Sequence, residues 1–175
     1  VYMYLKKTSL YKLIIFSFFL ILNFKNAFSS TTYVDAYDFA NQNSTGEYVT
    51  GLEFNDDGTK VFIVDGNSDL VTEYSLSTAF DLSTMSFTRS YDISGTESNA
   101  MDLVFNNDGT KLFIIGLSGD GVDEYHLTTG YDLSTISHDS FISTKNDEPA
   151  ATGIAFNTDG TKMFIVGYSG DEVNE

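Results

Sequence analysis

Acidic side chains recur in this sequence at a fixed spacing, and they are the residues best placed to do chemistry. Asp57, Asp108 and Asp159 each precede a glycine. Asp69, Asp120 and Asp171 lie 12 residues further on, followed by Glu73, Glu124 and Glu175. Each series steps by 51 residues. Carboxylates suit a hard cation, or acid–base work where two share a site. The Asp57 series does not fit a calcium loop, because D-x-[DN]-x-[DN]-G needs alternating ligands and these aspartates abut their glycines. Asp-Gly hairpin turns are the expected reading. For Glu73, Glu124 and Glu175, one carboxylate per repeat marks a repeat role: a solvated strand face, or an ion pair with Lys60, Lys111 or Lys162. His126 and His138 have no companion at metal-ligand spacing. There is no Cys, which excludes a disulfide scaffold, a thiolate zinc site, a Cys nucleophile and a lipoprotein anchor. No GxSxG elbow, GxGxxG fingerprint or P-loop occurs. The glycine-rich stretch from Gly116 to Gly121 reads as a strand-to-strand loop, since a phosphate cradle needs a helix after it. No catalytic or cofactor-binding residue is assigned.

The elements that position these acids come from an internal repeat. Phe54 begins FNDDGTKVFIV, Phe105 begins FNNDGTKLFII and Phe156 begins FNTDGTKMFIV. Glu73 begins EYSLSTAFDLST and Glu124 begins EYHLTTGYDLST. Each unit reads as four short strands. The first, over 49–55, alternates Leu52 and Phe54 against Gly51 and Glu53; its copies set Leu103 and Phe105, then Ile154 and Phe156, on the same face. The second, over 61–64, is apolar on both faces and so lies between two sheets. The third covers 70–76 and 121–127. After a DLST turn, the fourth covers 86–93. No helical apolar period appears beyond residue 29.

Four strands in about 50 residues, repeated, make a β-propeller blade. The stretch FNNDGTKLFIIGLSGDGVDEY resembles the blades of YVTN and lactonase-like propellers, over about 20 residues in each of three copies. The usual Pro of that family is Asp56, Asn107 or Thr158 here, its Tyr is Phe62, Phe113 or Phe164, and the DLST segment lengthens the blade. The resemblance implies an all-β propeller and leaves activity open, because propellers host many functions. It also implies that the loops holding Asp69, Asp120 and Asp171 share a face with the blade-to-blade linkers, which carry Glu47, Glu97, Asp147 and Glu148. That face is expected either to bind Ca²⁺ or a cationic partner, or to form a solvated acidic rim.

The ends carry further expectations. Lys6, Lys7 and Lys12 precede the apolar run Leu13–Leu22, and small residues Ala27 and Ser29 follow. This describes a secretory signal peptide over 1–29, with an uncleaved anchor or a buried strand as alternatives. Its removal takes four lysines and no acid, leaving 5 basic against 25 acidic residues and a net charge of −20. Such a chain repels nucleic acid and anionic membranes. Residues 30–48 read as a latch strand and linker, because Tyr33 to Phe39 lines up with Phe87 to Ile93. Blades follow over 49–99 and 100–150, with a partial blade over 151–175, as in an N-terminal part of a longer ring. The functional expectation is a secreted, periplasmic or cell-surface scaffold that binds a protein or carbohydrate. A metal-dependent lactonase-type hydrolase and an adhesion module are the alternatives.

Overall fold

The computed structural model describes residues 36–37, 48–170 and 172–175, all within the unit Ala36–Glu175. The expected signal segment, most of the latch strand, Glu47 and Asp171 lie outside the described residues.

The chain forms three antiparallel sheets. Strands β1 (Val49–Phe54), β2 (Lys60–Asp65), β3 (Leu70–Leu76) and β4 (Met85–Asp92) pair in sequence order. Strands β5 (Ala100–Phe105), β6 (Lys111–Gly116), β7 (Gly121–Leu127) and β8 (Ile136–Ser143) repeat the arrangement. Strands β9 (Ala151–Phe156) and β10 (Met163–Gly167) begin a third sheet, continued by the bridge between Ile165 and Asn174. Strand β1 contacts β5, and β5 contacts β9, so the first strand of each sheet lies innermost. These are blades of a β-propeller.

The FNxDGTK motif is a turn device throughout. Gly58, Gly109 and Gly160 have φ of 70°, 69° and 68°, a region open to glycine. The preceding aspartate accepts the N–H of the following threonine: Asp57 from Thr59 at 2.9 Å, Asp108 from Thr110 at 3.0 Å, Asp159 from Thr161 at 3.1 Å. Asn55 Oδ1 accepts Lys60 N–H at 2.8 Å and so closes the hairpin, and Asn106 and Asn157 do the same. The DLST segment is a single 3-10 turn rather than a plain turn, with Asp81 and Asp132 capping it through Ser83 and Ser134 N–H. Strand four starts at Met85, one residue earlier than its pattern predicts; Ile93 leaves the ladder and donates to Asp69 O. Extra residues in β1, β5 and β9, and again in β4 and β8, make β-bulges at repeating positions.

The core lies between sheets. Phe62, Val64 and Val71 of the first sheet pack on Leu103, Phe105, Leu112 and Ile114 of the second. Phe113, Ile115 and Val122 then pack on Ile154 and Ile165 of the third. This two-sided burial accounts for the apolar β2 and β6. The same repeat position differs in burial between blades. Leu103 and Ile154 are 3% and 8% exposed, but Leu52, at the same repeat position, is 59% exposed. Among the described residues no preceding sheet covers it. Its pattern is that of a core residue, while its burial depends on a neighbour.

Candidate functional site

The acids of the expected binding face divide into two kinds. Glu97, in the linker before β5, is buried and accepts three main-chain N–H groups: Asn99 at 2.8 Å, Ser118 at 3.1 Å and Gly119 at 3.0 Å. Glu148 repeats this with Ala150, Ser169 and Gly170. Each thereby ties a linker to the loop after the second strand of its blade. The carboxyl needs space that only glycine leaves, since a Cβ on Gly116 or Gly167 would meet its carboxyl carbon at 2.5 Å. Blade one reverses the two residue types. Gly46 stands at the linker position and Asp65 at the strand end. Asp65 accepts from Asn67 at 2.9 Å, Ser68 at 2.8 Å and Tyr48 at 3.3 Å. Glu97 and Glu148 are therefore structural anchors, which corrects their expected place on an accessible face. Unpaired loop amides are costly to bury, and these carboxylates satisfy them.

Asp147 is exposed, and its N–H donates to Thr144 O at 2.9 Å. Asp69 and Asp120 are half-buried. Both have positive φ, 55° and 54°, and their carbonyls accept Ile93 and Thr144 N–H, each at 2.9 Å. Asp120 pairs with Lys145 at 3.4 Å. Blade one has Ser94 where blade two has Lys145. Asp69 Oδ1 is shielded from solvent with no hydrogen-bond partner among the described residues. Desolvation first, then Asp92, Glu97 and Asp65, push its carboxyl above the usual range. Among the described residues no three acidic or imidazole side chains converge to hold a metal.

The series at Glu73 forms the expected ion pairs. Lys60 meets Glu73 at 2.9 Å, Lys111 meets Glu124, and Lys162 meets Glu175. Glu73 is buried and also accepts Leu133 N–H of the next blade at 3.1 Å.

Two features escaped the repeat-based reading because they break the repeat. On the innermost strands, Glu53 stands where its copies are Val104 and Ala155, and Asp102 where they are Gly51 and Gly153. Glu53 accepts Phe105 N–H at 2.6 Å and Asp102 accepts Ile154 N–H at 3.1 Å, so each links one inner strand edge to the next. Burial, then the charges of Asp102 and Asp56, raise Glu53 to about 7 against the lowering effect of the Phe105 N–H. Asp102 is likewise raised, chiefly by burial. Further out, His138 does have a companion: its Nε2 lies 2.9 Å from Oδ1 of buried Asp123. The two are diagonal neighbours across β7 and β8, where Asp123 pairs with Phe141 and His138 with Tyr125, a strand pairing that sequence spacing does not display. Burial raises Asp123 although His138 lowers it. His126 is exposed.

No family model and no curated protein matches the chain. Solved structures do. The periplasmic gluconolactonase of Pseudomonas aeruginosa matches with a TM-score of 0.55 at 16% identity, over 73% of this chain and 35% of that one. A Bacteroides fragilis protein provisionally assigned as a 6-phosphogluconolactonase gives 0.54 at 14% identity, over 69% and 32%. Hydrazine synthase of Kuenenia stuttgartiensis gives 0.54 at 15%, over 81% and 33%. The chain thus spans about a third of the length of these proteins and shares with them the lactonase-like propeller fold.

Proposed function

We propose that this chain is the blade-forming part of an exported, non-enzymatic β-propeller scaffold. It takes a cationic group of a protein or carbohydrate partner at the loop after β2. The observation that carries this reading is the comparison of Asp69 with Asp120. Blade two supplies its own ammonium, Lys145, to that loop. Blade one has Ser94 there, and its carboxylate stands among other acids with one oxygen unpartnered among the described residues. A lysine or amino-sugar ammonium would fill the place that Lys145 fills in the next blade. Export and the net charge of −20 after residue 29 fit a soluble binding role away from nucleic acid and membrane.

The test is thermal unfolding of the full chain with N-acetyl-lysine methylamide, CaCl₂, and NaCl at matched ionic strength. The lysine amide should raise Tm beyond the NaCl control by mass action. Ca²⁺ should act only at roughly 10⁻⁴–10⁻³ M. Ser94→Lys should raise Tm by itself and abolish the lysine-amide response, and Asp69→Asn should also abolish it. Equal responses to all three solutes would leave the acids as a solvated rim.

A lactonase-type hydrolase is the second reading, favoured by the non-repeating pair Glu53 and Asp102 on the innermost strands. A carboxyl raised to about 7 can hold or release a proton near neutrality. Turnover of a δ-lactone lost in both Glu53→Gln and Asp102→Asn would select this reading over the scaffold.

A further inference from the structure

We propose that the joint between the first and second blades is a pH-responsive clasp, tightened when His138 takes up a proton and loosened when it gives the proton up. The clasp holds the linker over 93–99 against blade two. Glu97 ties that linker to the loop amides of Ser118 and Gly119, and Thr96 Oγ1 is hydrogen-bonded to the Tyr125 hydroxyl. Asp123, 3% exposed, borders the same loop. A Cβ on Gly119 would lie 2.9 Å from Glu97 Oε2 and 3.9 Å from Asp123 Oδ2, so two buried carboxylates flank one loop residue.

The repeat supplies the comparison. Blade one has Thr72 at the position of Asp123 and Phe87 at that of His138. Thr72 hydrogen-bonds Ser90 at 3.0 Å, a neutral pair. The third copy has Asn174 at the position of Asp123, also neutral. Phe87 meets Tyr74 edge-on at 6.0 Å, and His138 meets Tyr125 in the same way at 5.3 Å. The imidazole thus keeps the packing of the phenyl ring and adds a contact, Nε2 at 2.9 Å from Asp123 Oδ1. Two departures from the repeat touch each other and act as a unit.

The titratable groups that face Asp123 among the described residues are Glu97 from the linker, Tyr125 on its own strand and His138 from β8; Tyr91 of β4 packs edge-on against Tyr125. Of these only His138 can carry positive charge. Its side chain is 37% exposed, so protons reach it from solvent. Neutral His138 still donates its Nε2 hydrogen to Asp123, so deprotonation removes the charge and leaves the hydrogen bond. A buried carboxylate without its counter-charge is destabilising. Asp123 acts in the same direction. Burial holds its carboxyl above the usual range against the lowering effect of His138, and Glu97 adds to the rise. A raised carboxyl contributes stability at low pH and loses it as pH rises through its folded value. Both groups therefore tighten the clasp on acidification.

The experiment is hydrogen exchange of the full chain, read at the Ser118 and Gly119 amides and corrected for the intrinsic pH dependence of exchange. Protection there should fall about tenfold between about pH 5 and 8, the span in which an imidazole changes charge. His138→Phe copies the blade-one ring and leaves both carboxylates unbalanced. It should be poorly protected at both ends of the range, without the fall. Asp123→Asn copies the third repeat, keeps an acceptor for His138 and leaves Glu97 as the one carboxylate at the loop. It should be as protected at both ends as wild type is at the acid end, and it keeps the test decisive where His138→Phe does not fold, which circular dichroism checks. Flat wild-type protection overturns the proposal. So does a fall in either variant equal to that of wild type, which would assign the effect to another group. An equal fall at Asn67 and Ser68, the blade-one amides held by Asp65, overturns it too, by placing the effect in the net charge.

Discussion

At the scale of single residues, position in the repeat separates anchors from titratable groups. Glu53 has a folded pKa of about 7 against an ordinary value of 4.5, mainly through burial. The folded state therefore binds the proton more tightly than the unfolded state. Its contribution to stability is complete below about pH 4.5 and lost as pH rises through 7. Glu53→Gln should keep an acceptor for Phe105 N–H and remove this loss. Discounted for partial exposure, the gain at pH 8 should be about 1 kcal/mol, with little change at pH 4. Urea unfolding at the two pH values checks it, and parallel shifts would point to packing instead of ionisation. Glu97 gives a second prediction. Glu97→Gly removes the acceptor of three N–H groups and should cost roughly 2–4 kcal/mol. Adding Gly116→Asp copies the blade-one arrangement of Gly46 and Asp65, so the double variant should recover at least half of the loss. A double variant weaker than the single would show that the two anchors are not interchangeable.

At the scale of elements, the three Asp-Gly hairpins share a backbone and differ in surroundings. A Cβ on Gly109 would lie 2.3 Å from the Tyr131 ring, while one on Gly160 meets nothing within 4 Å. Both glycines have positive φ, so alanine should cost about 1 kcal/mol at either from conformation alone. Gly109→Ala must also displace Tyr131, which packs on Phe105 at 5.0 Å and bridges to the first sheet through its carbonyl. It should therefore lose about 2 kcal/mol more than Gly160→Ala in chemical denaturation. Equal losses would mean that Tyr131 moves aside freely.

At the scale of the molecule, stability resides in contacts between sheets, because each blade leaves two apolar faces to be covered. Tyr37 tests this from the N-terminal side. Removing its ring exposes Tyr74 and part of the cluster of Val61, Ile63 and Met85. Tyr37→Ala should lower Tm by several degrees, in keeping with a loss of about 1–2 kcal/mol. An unchanged Tm would make the segment around Tyr37 a tether only.

The sequence by itself determined the period of 51 residues, the turn at each Asp-Gly and the four strands of each unit, and it offered an ion pair as one of two readings of the Glu73 series. All of these follow from local backbone preference and short-range pairing, which a repeat states three times over. Tertiary structure alone decided which acids are free. Glu97 and Asp69 look alike as loop carboxylates, yet one is closed off by three amides, two of them from a loop 21–22 residues away, and the other has an oxygen, Oδ1, without a hydrogen-bond partner among the described residues. It also decided that Leu52 is exposed where Leu103 is not, because burial belongs to the neighbouring sheet. The Asp123–His138 pair and the inner-edge carboxylates Glu53 and Asp102 depend on strand pairing and on the approach of separate blades. They were visible in the sequence only as departures from the repeat, and their chemistry appears once distant strands are brought within hydrogen-bonding reach.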